Sequence, residues 1–292
     1  MKRSSLVLGC LLGVAAPAVA DDLGKNFEAS MVVTGTITVN PDGRVGSYAL
    51  DQSSRLSPMV LKMVDTTVPN WRFRPVLANG LAVPARSEMS LRIVAHLINE
   101  QQATLRISGA EFGRNAVQSQ NSAECANHAC LSEDKVVLPN FPARALQEQT
   151  GGTVYMVIEV NHQGLVARAA VQQVNMTYRG RSAPIIRDAL AANSLAAVQT
   201  WTFSVPTSGE EAKRDYWIVR VPINFEFGLM GKKTTEYGRW ESYFPGPKQD
   251  IPWARNGDGA VGLSDSVDAL PGNNEPFVAD TRFVLLTPPS PG

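Results

Sequence analysis

Histidine and cysteine are scarce in this chain, three of each among 292 residues, and its formal charge sums to zero. These shortages exclude several classes of function. His96, His128 and His162 form no pair at metal-ligand spacing, and neither a Gly-rich phosphate loop nor a nucleophile elbow occurs. Zero net charge leaves no electrostatic footprint for nucleic acid or for an anionic membrane surface. The acids Glu111, Glu124, Glu133-Asp134 and Glu210-Glu211 are scattered along the chain. A non-enzymatic protein with no catalytic residue, metal or cofactor is therefore expected. Long hydrophobic runs are missing too: the apolar stretch Leu6 to Ala16 falls short of the ~20 residues of a membrane-spanning helix.

That stretch has a different use. Lys2-Arg3 precede it, and Ala18-Val-Ala20 followed by Asp21-Asp22 makes a small-residue cleavage site. Residues 1–20 read as a signal peptide, with a mature chain starting at Asp21 and exported, in a bacterium to the periplasm. The alternatives are an uncleaved inner-membrane anchor, or lipid attachment at Cys10, which has almost no apolar region ahead of it. Export leaves Cys125 and Cys130 as an even pair in an oxidising compartment, so a disulfide is expected. With His128 between them they offer a metal only three ligands. Closing so short a loop removes ~2–3 kcal/mol of chain entropy from the unfolded state.

The most patterned stretch runs from Pro139 to Phe227. Pro139-Asn-Phe141-Pro142-Ala143-Arg-Ala145 enters a short helix, and Gly151-Gly152 introduces the alternating strand Thr153–Val160. Asn161-His-Gln-Gly164 reverses the chain into Leu165–Val171, a hairpin closed by a four-residue connection with glycine. An Ala-rich helix from about Pro184 to Gln199 ends at Trp201-Thr-Phe203, and a last strand spans Asp215–Phe227. Its Tyr216, Ile218, Arg220, Pro222 and Asn224 share one mixed face. Trp217, Val219, Val221, Ile223 and Phe225 share an apolar face expected to lie on the helices. Pro222 donates no hydrogen bond, which places this strand at a sheet edge.

This order resembles the TonB carboxy-terminal domain family. The resemblance is carried by Pro139, Phe141, Pro142, Ala145, Gly152, Gly164, Trp201, Phe203, Pro222 and Phe225, over about 90 residues. A degenerate copy spans about 29–97. It has the strand Met31–Val39, the turn Asn40-Pro-Asp-Gly43, a return strand Arg44–Leu50, a helix from about Pro58 to Asp65, Trp71-Arg-Phe73 and a strand Ser87–Leu97. The first copy lacks the Pro-x-aromatic-Pro opening. The expected fold is α+β: two tandem domains at 21–98 and 136–228, each a small three-stranded antiparallel sheet with helix packed on one face. Trp71, Phe73, Trp201 and Phe203 are expected in the cores, where a tryptophan buries ~200 Å². Between the copies, 99–135 reads as a linker with one possible extra strand at Ala103–Ile107. Residues 229–292 read as a Pro/Gly-rich tail that packs in part through its aromatics and Thr281–Leu286.

By resemblance, the function is that of a periplasmic module binding an extended segment of an outer-membrane receptor or other envelope protein. Such a module adds the partner's strand to the last strand near the aromatic-Pro opening. The positions concerned are Phe141, Pro142, Ala143, Tyr216, Ile218, Arg220, Pro222 and Asn224. No Pro/Lys or Pro/Glu spacer precedes the domain, and a cleaved signal leaves no anchor to transmit force. An anchored energy transducer is the reading if the signal is retained. The other alternative is a structural envelope module whose two copies pair with each other or with those of a second chain.

Overall fold

A computed structural model of the chain describes residues 28–99, 102–116, 123–226, 237–254, 267–271 and 274–290. The expected signal peptide, the Asp21 start, Cys10 and Phe227 lie outside these residues. In chain order the elements are β1 (Glu28–Val39), β2 (Val45–Leu50), α1 (Pro58–Thr67), β3 (Leu77–Ala78), β4 (Leu81–Ala82), β5 (Ala85–Asn99) and β6 (Gln102–Asn115). There follow β7 (Ser132–Lys135), α2 (Ala143–Gln147), β8 (Gly152–Val160), β9 (Val166–Met176), α3 (Ala183–Val198) and β10 (Thr202–Ser204). The chain ends with β11 (Trp217–Phe225), β12 (Glu241–Tyr243) and β13 (Phe277–Ala279).

Local chemistry accounts for the boundaries. Helix α1 starts at Pro58, whose fixed φ suits a first helical position, and the Ser57 hydroxyl accepts from the Val60 N–H. In β1 the burial alternates residue by residue, with Val33, Ile37 and Val39 buried between half-buried threonines. Each lobe keeps the expected helix against a strand face. One core gathers Val60, Val64, Trp71, Phe73 and Leu91, and the other gathers Ile186, Leu190, Trp201, Phe203 and Val219. The four expected core aromatics are all buried, and Cys125 and Cys130 form a disulfide with Cα atoms 5.0 Å apart.

The expectation of two small three-stranded sheets is wrong. The strands of both lobes join one nine-stranded antiparallel sheet, ordered β12-β1-β5-β6-β13-β11-β8-β9 with β2 beside β1. The physical cause is the open edge that each lobe's last strand would otherwise present as a row of unpaired N–H and C=O groups. β6 folds back along nearly the whole of β5, and β13 from the tail joins β6 to β11. The sheet also meets itself. Phe244, directly after β12, exchanges two backbone hydrogen bonds of 2.8 and 2.9 Å with Met176, the last residue of β9. Gln249 N–H adds a 2.7 Å bond to the Gln172 carbonyl, so the main order closes into a ring.

The extra strand glimpsed at Ala103–Ile107 is thus a fourteen-residue strand within the sheet. Its register shifts opposite Arg92 and Ile93, where Ile93 faces Ile107 but Arg92 faces Gly109. Ser108 is the added residue. The apolar alternation therefore changes phase there, from Leu105 and Ile107 to Ala110 and Phe112, which hides the second half of the strand from a period-2 reading. The tail packs as its aromatics suggest: Phe277 and Val278 enter the sheet, and Phe283 fills the first lobe's core.

Candidate functional site

Closing the ring turns one face of every strand inward, and around the cleft that face carries many polar side chains, beside apolar clusters at Tyr155–Phe277 and Val157–Ile218. The pairing sets Val32, Thr34 and Thr36 of β1 beside Arg92, Ser90 and Glu88 of β5. It sets Asn224 of β11 beside Thr153 of β8, and Thr153 beside Asn175 of β9. In a flat sheet β5 and β8, four strand spacings apart, would be separated by about 19 Å. Here the curl brings them together: Arg92 donates through Nη2 to the Tyr155 hydroxyl at 2.6 Å and through Nη1 to Ser30 Oγ at 3.0 Å.

The tail supplies the floor. Asp268 Oδ2 lies 3.4 Å from Arg92 Nε, accepts from Asn175 Nδ2 at 3.1 Å, and stands 3.1 Å from the Tyr243 hydroxyl. The Arg92 guanidinium also sits over the Tyr243 ring, 5.1 Å from its centre. Burial drives the Tyr155 phenol up to about 12 against the pull of Arg92, so Tyr155 is neutral at physiological pH. Deeper in the ring, Arg220 and Glu111 form an ion pair with almost no exposure on either side. Burial raises Glu111 to about 7, while Arg220 pulls the other way. Nε and Nη2 of Arg220 have no hydrogen-bond partner among the described residues.

Beyond the floor the ring opens into a cleft of about 1420 Å³ between the β1 side and the β8–β9 side. Its walls carry Thr34, Thr36, Ser90, Thr153, Asn175, Thr177 and Asn224, with Tyr237 and Trp240 among its aromatics. The Ser90 hydroxyl is 1% exposed as a residue and has no partner among the described residues. One wall is notched. β12 pairs with β1 only as far as Ser30, and on the β2 side the last bonds are those of the Asp51 N–H and the Tyr237 hydroxyl to the Thr34 carbonyl, so Met31–Val33 has no strand on that side among the described residues. Such a cleft suits non-covalent binding: hydroxyls, amides and strand-edge backbone are offered, while Arg92, Asp268, Arg220 and Glu111 are held in buried pairs.

The structure does not bring the sequence-expected binding residues together. β11 is an interior strand, with β8 along its whole length and β13 at Val219 and Arg220. Ile218, Arg220, Pro222 and Asn224 do share one face, but it is the buried inner face, and only Asn224 reaches the cleft. Phe141 lies on the opposite side, half-buried against Phe225 at 5.5 Å between ring centres. Pro142 is buried as the N-cap of α2, Ala143 is exposed, and Tyr216 lies just before β11, partly exposed. Pro222 has a local explanation in place of the edge argument. The Asn224 N–H points outward to Asn274 Oδ1, so Pro222 N, two residues back, also points outward. β13 has already ended there, and the missing donor breaks no ladder.

Sequence reasoning missed Ser90, Glu88, Thr34, Thr153 and Asn175. Their signal was visible as Thr34-x-Thr36-x-Thr38 and Glu88-x-Ser90-x-Arg92, but polar alternation ordinarily marks a solvent face. Among the described residues no group of three or more His, Cys, Asp or Glu side chains could hold a metal ion, and no helix is long and apolar enough to cross a membrane. Compared with protein-family models, curated proteins and solved structures, the chain produced no match in any of the three.

Proposed function

We propose that the chain is an exported, non-enzymatic protein-binding module, resembling the TonB carboxy-terminal domain family in sequence, whose shared sheet holds an extended segment of a partner. The partner class is an outer-membrane receptor or another envelope protein. The observation that supports this reading is the polar cleft running beside Met31–Val33 of β1, which no strand flanks on the side away from β5 among the described residues. It combines strand-edge backbone with side chains able to take hydrogen bonds from alternate residues of an added strand. The outer edge of β11 is covered at Val219 and Arg220, so strand addition belongs on β1 instead.

Amide exchange on the mature protein, with and without receptor-derived extended peptides, tests the proposal. Peptide-dependent protection of the Val32 and Thr34 amides, which point away from β5, is expected. Absence of binding, or protection confined to 217–225, overturns it. A second reading, a structural envelope module, is favoured by β6 and β13 covering the edges of β5 and β11, although the two copies' last strands do not pair with each other; it expects no peptide to bind.

A further inference from the structure

We propose that the β3–β4 hairpin inserts its tip into the interfacial layer of a lipid bilayer carrying anionic headgroups. Zero net charge over the whole chain conceals the local composition on which this rests. Residues 75–85 run Pro-Val-Leu-Ala-Asn-Gly-Leu-Ala-Val-Pro-Ala with no charged side chain, between Arg72 and Arg74 on one flank and Arg86 on the other. The stem is anchored. Val76 is buried in the first lobe's core, Val83 packs against that core, and the Val83 N–H donates to the Val76 carbonyl at 2.9 Å. Asn79 and Gly80 then turn with φ of +52° and +79°, the left-handed pair of a tight hairpin.

Beyond the stem the hairpin stands in the open. β3 and β4 form a two-stranded sheet apart from the nine-stranded one, Leu77 to Ala82 are all exposed, and a Cβ at Gly80 would meet nothing within 4 Å. Single exposed leucines are ordinary, but the register sets this pair apart. Leu77 stands opposite Ala82 and Ala78 opposite Leu81, so each face of the hairpin carries one leucine and one alanine. The leucines are 60% and 72% exposed. A protein surface covers one face of a hairpin laid on it, whereas acyl chains surround an inserted tip and take both. From Leu77 to the turn the tip projects about 10 Å, the depth that interfacial segments reach at the headgroup and acyl boundary. Charge at the foot selects the surface. Arg86 is exposed and has no partner among the described residues. Arg72 bonds to the Asn70 and Trp71 carbonyls, which leave its charge uncompensated. Arg44, opposite Arg72, is set against Asp42, so the attraction is counted on Arg72 and Arg86 alone. Arginines at the rim of an apolar tip keep their heads in the headgroup layer, where anionic phosphates attract them.

Flotation of the mature protein with vesicles is the test, using phosphatidylcholine alone and phosphatidylcholine mixed with phosphatidylglycerol. Binding to the mixed vesicles is expected to be at least fivefold tighter, an advantage that shrinks as salt rises. Leu77→Ser combined with Leu81→Ser, at exposed positions where melting should not change, should weaken binding at least tenfold. Arg86→Gln should weaken binding to the mixed vesicles by about fivefold and leave phosphatidylcholine unaffected. Leu81→Trp adds a readout of insertion: mixed vesicles should shift its emission to the blue, and lipids brominated along the acyl chain should quench it. No flotation with either vesicle, flotation that the double serine variant leaves unchanged, or a Leu81→Trp emission that vesicles do not shift overturns the proposal. Sedimentation velocity without lipid supplies one more overturning result: a dimer that the double serine variant dissociates assigns the hairpin to a second copy of the chain. The cleft and its peptide test stand apart from all of these outcomes.

Discussion

In the second lobe, β10 pairs with β7 just upstream, and the Trp201 indole donates to the Val137 carbonyl at 2.8 Å. In the first lobe the matching segment pairs with the far end of the chain. Phe73 bridges Leu285, the Leu286 N–H donates to the Arg72 carbonyl at 2.7 Å, and the Trp71 indole donates to the Pro289 carbonyl at 3.0 Å. Behind this difference the two lobes share one latch. Gly43 and Gly164 both adopt positive φ, +79° and +73°, and their carbonyls accept from Phe73 and Phe203 N–H at 2.8 Å in each case. The slot beside Trp-x-Phe is thus built by the latch and the helix. Whichever extended segment can reach fills it, and the tail supplies for the first lobe what Ser132–Val137 supplies for the second.

The largest expected effects test that equivalence. Trp71→Ala and Trp201→Ala should each cost about 3–5 kcal/mol, as large-to-small core changes do, read from chemical denaturation. Similar losses sharpen the equivalence, and a loss at one tryptophan alone breaks it. The lobes differ at Arg220, whose place in the first lobe's last strand is held by Glu88. Arg220→Met leaves Glu111 buried without its cation, a change expected to cost roughly 3–5 kcal/mol at pH 8. Glu111 sits at about 7 in the folded chain against its ordinary 4.5. The folded state therefore holds the extra proton between those values, and stability declines as pH rises through that window. The cost of Arg220→Met should accordingly be smaller at pH 5.5 than at pH 8; a cost independent of pH refutes the buried-charge account.

The smallest pair of effects concerns the turns. A Cβ at Gly43 would stand 2.2 Å from the Phe73 carbonyl oxygen, and one at Gly164 would stand 2.0 Å from that of Phe203. With the left-handed backbone added, Gly43→Ala and Gly164→Ala should each cost about 1–3 kcal/mol. Thermal melting of the two variants side by side measures how closely the hairpins correspond.

Much of each lobe was legible because its signals are local. Asn40 to Gly43 and Asn161 to Gly164 announce their hairpins, Ser57-Pro58 announces α1, and the apolar face Trp217 to Phe225 lies in the second lobe's core as its alternation indicates. The cleft was not legible. Ser90 and Asn224 lie 134 positions apart on strands that never pair, and the β6 bulge at Ser108 concealed the strand that continues the sheet. The expected edge at β11 failed for a related reason: Pro222 signals that no ladder bond is made at one residue, and says nothing of Arg220 two residues earlier, where β13 pairs.

By itself, then, the amino-acid order determined the repeat, the two helix-covered cores, their tryptophans and the Cys125–Cys130 pair. Each of these rests on contacts within a lobe or on residues close in the chain. Only the tertiary structure decided that the lobes share one sheet and that the polar face of that sheet is inside. Strand edges carry the same N–H and C=O groups whatever their side chains, so which edge meets which is settled by the length and path of β6, β12 and β13. The alternation of Thr34, Ser90 and Arg92 with apolar neighbours is compatible with a solvent face or with a cleft, and the bond from Phe244 to Met176 is what makes it a cleft.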